Sequence, residues 1–126
     1  MIYSNLASLI LRLGLSSMML THGLGKFNKL ISGNLSFSNP IGIGEGPSLF
    51  LAVIGEFVCP ILLILGFKSR LAAIPPAITM LVAALIVHAD DPFRRQEFPL
   101  VYCLGFVAIF LLGSGKYSLD WRLKKV

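Results

Sequence analysis

The chain has 126 residues, of which 56% are hydrophobic and 13% are charged, and its net charge is +5. This apolar fraction exceeds the roughly 45–50% of soluble domains, so we predict a single integral membrane domain over residues 1–126 with an all-α fold. The basic residues flank apolar stretches, which indicates topology signals and contact with the lipid bilayer, and we expect no nucleic-acid partner.

The pattern predicts four membrane-spanning helices, at about residues 5–22, 47–66, 71–87 and 97–112, because each apolar stretch approaches the roughly 20 residues that cross a bilayer. The connection between the first two spans keeps apolar residues such as Phe37 and Ile41. A free aqueous loop would not need them, so we expect part of this connection to lie at the interface or to fold over the mouth of the bundle.

Four spans place both termini on one side of the membrane. Six basic residues lie on that side and four on the other: Lys68, Arg70, Lys116, Arg122, Lys124 and Lys125 against Lys26, Lys29, Arg94 and Arg95. This excess predicts that the termini are cytoplasmic.

Two charged residues fall inside the predicted spans. Helix rise places Arg12 about 11 Å and Glu56 about 16 Å from the terminal side, which are similar depths. Since an arginine in hydrocarbon costs roughly 2.5–3.5 kcal/mol, it should find a partner, and we predict a buried Arg12–Glu56 ion pair. The pair could serve function, or it could only lock the first two spans together.

A second polar group is predicted at the face opposite the termini. His22 and His88 end spans and Glu97 begins one, with Lys26 close by. We predict that these four residues bind a ligand, because imidazole and carboxylate groups can relay protons or hold a polar head group. The alternative is that each side chain merely reaches the interface. Two histidines at unrelated spacing are a weak metal signature, so no metal site is predicted, and catalytic residues stay unassigned.

The two cysteines lie in separate apolar segments, and we interpret Cys59 and Cys103 as inert buried thiols. A redox role for this pair would require the two to approach each other. No haem, flavin or iron–sulfur ligation pattern is visible, so we expect no covalently bound cofactor.

Several short motifs resemble those of DoxX-like membrane proteins. Arg12-Leu-Gly14, His22-Gly23 and Lys26-Phe27 resemble the first-helix signature of that family. The similarity continues, over nearly the whole chain, through Gly55-Glu56, the turn at Gly66–Ala73, His88, Glu97 and Gly115–Asp120. The chain departs from the family pattern at Pro60 and in its long connection between the first two spans.

The resemblance implies a four-helix bundle in a bacterial-type inner or plasma membrane. The family takes its name from a subunit of thiosulfate:quinone oxidoreductase (DoxX/DoxD), and relatives are associated with quinol oxidases or with complexes that resist oxidative stress. The first hypothesis is therefore a membrane subunit of a quinone-linked redox system, with a quinone at the polar mouth and a redox partner protein as the source of electrons. The alternative is a non-enzymatic assembly partner, or a carrier of a small or lipid-like molecule, in which a homo-oligomer is expected.

Overall fold

The computed structural model describes residues 2–37 and 39–124. Four long helices and one short helix follow in order: α1 (Ile2–Ile31), α2 (Glu45–Leu65), α3 (Ser69–Val87), α4 (Phe93–Leu112) and α5 (Leu119–Lys124). The described part of the chain contains no strand, which confirms the predicted all-α class there.

The long helices form an antiparallel bundle in which each packs against its neighbour in sequence and α4 closes against α1. Antiparallel packing with the short links between α2, α3 and α4 is the usual arrangement of such bundles. The core lies where all four helices meet, and fully buried Met19, Leu63, Ala73, Phe106 and Ile109 belong to it.

Three of the described helices, α2, α3 and α4, are long and apolar enough to cross a membrane. Helix α1 has the length, but Arg12 and Lys26 interrupt its apolar character. On α4, the exposed side chains of Val101, Leu104 and Leu111 form an apolar outer surface, which suits contact with lipid. The chain therefore has membrane-helix character. That it has four spans and that its termini are cytoplasmic remain predictions.

Helix α1 continues to Ile31, well beyond the expected end of the first span at His22. The glycines that follow His22 do not end the helix, because Gly23 is where α1 touches α2. A Cβ atom at Gly23 would lie 2.0 Å from the carbonyl oxygen of Glu56. Here glycine permits close packing of two helix backbones, as it does between many membrane helices.

Two turns of π-helix interrupt the α-helical geometry, at Ile54–Val58 in α2 and at Ala83–Val87 in α3. The first ends two residues before Pro60, which has no amide hydrogen to donate to the carbonyl of Glu56 four residues earlier. Turns of this kind often occur at functional sites. They carry Glu56 and lead into His88, and both residues line the same cavity.

Candidate functional site

A cavity of about 310 Å³ lies between α2 and α3, beside the last third of α1. Phe37, Pro40 and Ile41 of the long connection line one side of it, as expected of a segment that folds over the bundle mouth. Most of the other lining residues are apolar, namely Leu51, Ala52, Ile78, Val82, Ala83 and Val87. Its size is at the lower end of the range for small-molecule sites.

A partly buried ion pair forms part of the cavity wall. The ammonium group of Lys26 lies 2.6 Å from each carboxylate oxygen of Glu56. The Glu56 side chain is only 3% exposed and that of Lys26 is 30% exposed, so the carboxylate is the deeper partner. The same ammonium lies 5.7 Å from the centre of the Phe37 ring, which adds a cation–π contact.

Three further polar residues line this cavity. The hydroxyl of Ser48 is buried and has no hydrogen-bond partner among the described residues. Thr79 donates its hydroxyl to the carbonyl of Pro75 at 2.8 Å. The Nδ1 atom of His88 lies 2.7 Å from a carboxylate oxygen of Asp91, so its Nε2 atom remains for another partner. A ligand would meet an apolar pocket with a few polar groups, which is the usual composition of a binding site.

The structure brings together only two of the four residues predicted to bind a ligand. Lys26 and His88 line the cavity, and Glu56 joins them. His22 is exposed, and its ring lies edge-on to that of Tyr102 on α4, with 6.2 Å between centroids. Glu97 is also exposed. Neither His22 nor Glu97 lines this cavity.

The predicted Arg12–Glu56 ion pair is wrong, because each residue has other partners. Glu56 pairs with Lys26, whereas Arg12 donates from Nη1 to the carbonyl of Leu63 at 2.9 Å and from Nη2 to that of Tyr117 at 2.6 Å. Arg12 thus meets α2 at Leu63, two turns and about 10 Å from Glu56. It ties α1 to α2 and to the segment after α4.

The carboxylate near Arg12 is that of Asp120, on α5. Asp120 accepts hydrogen bonds from the backbone amides of Lys68 and Ser69, at 2.7 and 3.1 Å, and from the hydroxyl of Ser114. Because Lys68 has a left-handed backbone (φ 49°), both amides can face this one side chain. Asp120 therefore caps the start of α3 from outside that helix.

Partial burial acts to raise the pKa of Asp120, but the hydrogen bonds from Ser114, Lys68 and Ser69 and the positive charge of Arg12 outweigh it. The pKa of this carboxyl group is thereby lowered from its ordinary value of 3.8. The ionised form is the one that the folded protein stabilises. Asp120 is a residue of the Gly115–Asp120 motif, to which the sequence alone assigned no partner.

Because the folded-state pKa of Asp120 is lowered, its stabilising contribution is present above about pH 4 and is lost as the pH falls through the folded-state value. We expect Asp120→Asn to lower the free energy of unfolding by about 1 kcal/mol at pH 7, as for other helix-cap carboxylates. The difference should shrink below pH 4, which thermal unfolding of purified protein at pH 3–7 would measure. Asp90→Asn, at an exposed position, is the control; a difference that did not shrink in acid would contradict the role of the charge.

The sequence carried one unused signal for the true ion pair. Gly23 and Lys26 are three residues apart, so they lie on the same face of α1. A close helix contact at Gly23 against Glu56 therefore brings Lys26 beside the same turn of α2. No comparable signal pointed to Ser48 or Thr79, which are ordinary helix residues by pattern. The thiols of Cys59 and Cys103 are both free.

Comparison with known proteins yields three informative relatives. An uncharacterised protein of Haemophilus influenzae is 34% identical over 80 residues, or 60% of this chain and 53% of its own length. The chain thus spans about half of that relative. A second uncharacterised protein of the same organism is 31% identical over 122 residues, covering 91% of this chain and 89% of its own length.

The third relative, from Bacillus subtilis, is named putative oxidoreductase CatD and is 28% identical over 116 residues, covering 91% of this chain and 85% of its own length. No solved structure is significantly similar to the chain. The model of the DoxX family matches residues 7–89, which include α1 from its second turn, α2 and α3 with their polar side chains. Together with the apolar helices described above, this match shows that the chain is a membrane protein of the DoxX family.

Proposed function

We propose that this protein is a membrane subunit of a quinone-linked redox system and that the cavity between α2 and α3 holds the quinone head group. The observation that carries this proposal is the Lys26–Glu56 ion pair, whose carboxylate is buried in the wall of a cavity that is otherwise lined mostly by apolar residues. The relative named as an oxidoreductase supports a redox role. The predicted mouth group consists of His22, Lys26, His88 and Glu97. The proposed site keeps Lys26 and His88 and adds Ser48 and Glu56.

The chemistry of the lining suits a flat ring that carries two carbonyl oxygens. The ammonium of Lys26 and the unpartnered hydroxyl of Ser48 are donors for such oxygens. Reduction of a quinone to a quinol takes up two electrons and two protons, and carboxyl and imidazole groups such as Glu56 and His88 can pass protons. The electrons would come from a partner redox protein, because this chain carries no ligation pattern for a redox centre.

The proposal predicts which substitutions weaken quinone binding. We expect Glu56→Gln, which leaves Lys26 without its counter-charge, and His88→Ala each to raise the Kd for decylubiquinone about tenfold, the typical effect of losing one hydrogen bond to a charged group. Isothermal titration calorimetry of the purified protein in detergent would measure it. His22→Ala and Glu97→Gln are matched controls outside the cavity, with unchanged affinity expected.

The outcome separates three interpretations. Weaker binding only in His22→Ala and Glu97→Gln would instead assign the quinone site to the mouth group predicted from sequence. Equal affinity in all four variants would remove the cavity as the quinone site. The mostly apolar lining also favours the alternative of a carrier for a lipid-like molecule, which retention of lipid but not of quinone by the wild-type protein would support.

A further inference from the structure

A second and larger cavity, of about 660 Å³, lies at the opposite end of the bundle from Lys26 and Glu56. It is an open groove where α3 begins and α4 ends. Three basic side chains line it: Lys68 of the connection before α3, Arg70 of α3 and Lys116 of the connection after α4. We propose that this groove, the basic groove, binds the phosphate group of an anionic phospholipid.

The positive charge of the basic groove is not neutralised within the described part of the chain. None of its three basic residues takes part in a salt bridge there. The ammonium groups of Lys68 and Lys116 lie over the rings of Phe67 and Trp121, at 5.6 and 5.5 Å from the centroids. Both are exposed and can bond to a phosphate oxygen as well.

The one carboxylate in the lining is that of Asp120, and it repels a bound anion less than an unpaired carboxylate would. Its oxygens already accept hydrogen bonds from Lys68, Ser69 and Ser114, and the charge of Arg12 acts on it from inside the bundle. The remaining charge of the groove is therefore positive. Ser69, which also lines it, has a fully buried hydroxyl with no hydrogen-bond partner in the part of the chain that the structure describes.

The depth of the basic groove matches that of lipid head groups. Ser69 is the first residue of α3 and Leu112 is the last residue of α4, and both helices are candidate membrane spans. Half-buried Trp121 lies beside the groove, as aromatic residues do at membrane interfaces. Basic pockets at this level are typical sites for anionic lipid. A phosphatidylcholine head group would add a cation to a site that is already positive, so the groove should prefer phosphatidylglycerol.

Native mass spectrometry of the full chain in detergent, titrated with phosphatidylglycerol, tests the proposal. We expect the double variant K68Q/K116Q to bind this lipid at least about tenfold more weakly than the wild type, since each basic residue contributes severalfold. The control is R94Q/R95Q, which removes the same charge from exposed positions at the other end of the bundle and should stay within about twofold. Thermal unfolding without lipid verifies that both variants fold.

Three outcomes would overturn the proposal. Equal weakening in both double variants would mean that only net charge attracts lipid. Phosphatidylcholine binding as tightly as phosphatidylglycerol would exclude a preference for anionic lipid. Complete competition by inorganic phosphate at equal concentration would assign the groove to a soluble anion. If K68Q/K116Q does not fold, the single variants K68Q and K116Q, each expected to weaken binding about fivefold, decide the same question. Quinone affinity is a separate readout, unchanged in these variants.

Discussion

Replacement of Gly23 by alanine is expected to lower the free energy of unfolding by roughly 3 kcal/mol or more. The added Cβ would lie 2.0 Å from the carbonyl oxygen of Glu56 and 2.4 Å from its carbonyl carbon. Both are backbone atoms and cannot rotate away, so α1 and α2 must move apart. Thermal unfolding of the purified protein in detergent would measure the loss.

Gly14→Ala is the matched control on the same helix, because no described atom outside the adjoining helix backbone lies within 4 Å of the position that its Cβ would occupy. It should leave stability unchanged or raise it by up to about 1 kcal/mol, through the better helix propensity of alanine. If Gly23→Ala were as stable as Gly14→Ala, the close contact between α1 and α2 would not exist in the folded protein.

The Gly23 contact also has a functional consequence. Lys26 follows Gly23 by one turn and reaches Glu56 only while the two backbones stay close. Because separation of α1 from α2 lengthens that ion pair, Gly23→Ala should also weaken quinone binding at the cavity. Gly14→Ala should leave quinone binding unchanged. The comparison therefore distinguishes a local effect on the site from a general effect of a glycine-to-alanine change in α1.

Helix positions could be predicted from the sequence because long apolar stretches need backbone hydrogen bonds within themselves, whatever their neighbours are. The predicted 71–87 and 97–112 agree with α3 and α4 at their C-terminal ends. The end of α1 could not be predicted in the same way. Whether a glycine such as Gly23 ends a helix or packs against another depends on a tertiary contact that sequence spacing alone does not reveal.

Pairing of side chains was less predictable than helix position. Similar depth suggested that Arg12 and Glu56 meet, but depth says nothing about the rotation of each helix about its axis. In the structure Arg12 reaches Leu63 and Tyr117, while Lys26 lies alongside Glu56. Two backbone carbonyl groups accept hydrogen bonds from this guanidinium, and the carboxylate near it is that of the partly buried Asp120 rather than that of Glu56.

The four residues of the predicted mouth group do not line one cavity, for the same reason. His22 and His88 lie toward the same end of the bundle, as the topology required. Sharing an end does not mean sharing a side, because His22 contacts Tyr102 of α4 while His88 lines the cavity between α2 and α3. Two other polar residues that line the cavity, Ser48 and Thr79, resemble ordinary helix residues in sequence.

Replacement of Arg12 by methionine is expected to lower the free energy of unfolding by about 3 kcal/mol. Arg12 is fully buried and donates to the carbonyl of Tyr117 and to that of Leu63, which also accepts a hydrogen bond from the amide of Gly66. Methionine fills a similar apolar volume but leaves both oxygens without this donor and Asp120 without the nearby positive charge. Thermal unfolding in detergent would measure the effect.

Arg12→Lys should recover little of this stability, because one ammonium cannot reproduce the planar fork that spans two carbonyl groups on separate segments. Arg94→Met, at an exposed position, is the control and should stay within about 0.5 kcal/mol of the wild type. Full stability of either Arg12 variant would show that the two hydrogen bonds do not hold the bundle together.

A double-mutant cycle then separates the two possible partners of Glu56. We expect Glu56→Gln to couple with Lys26→Met by about 1 kcal/mol or more, since the two side chains are in direct contact. With Arg12→Met, the effects of Glu56→Gln should add within about 0.5 kcal/mol, because Arg12 contacts α2 at Leu63, two helical turns from Glu56. Strong coupling of Glu56 to Arg12 would instead restore the ion pair that similar depth suggests, and would assign Lys26 to another partner.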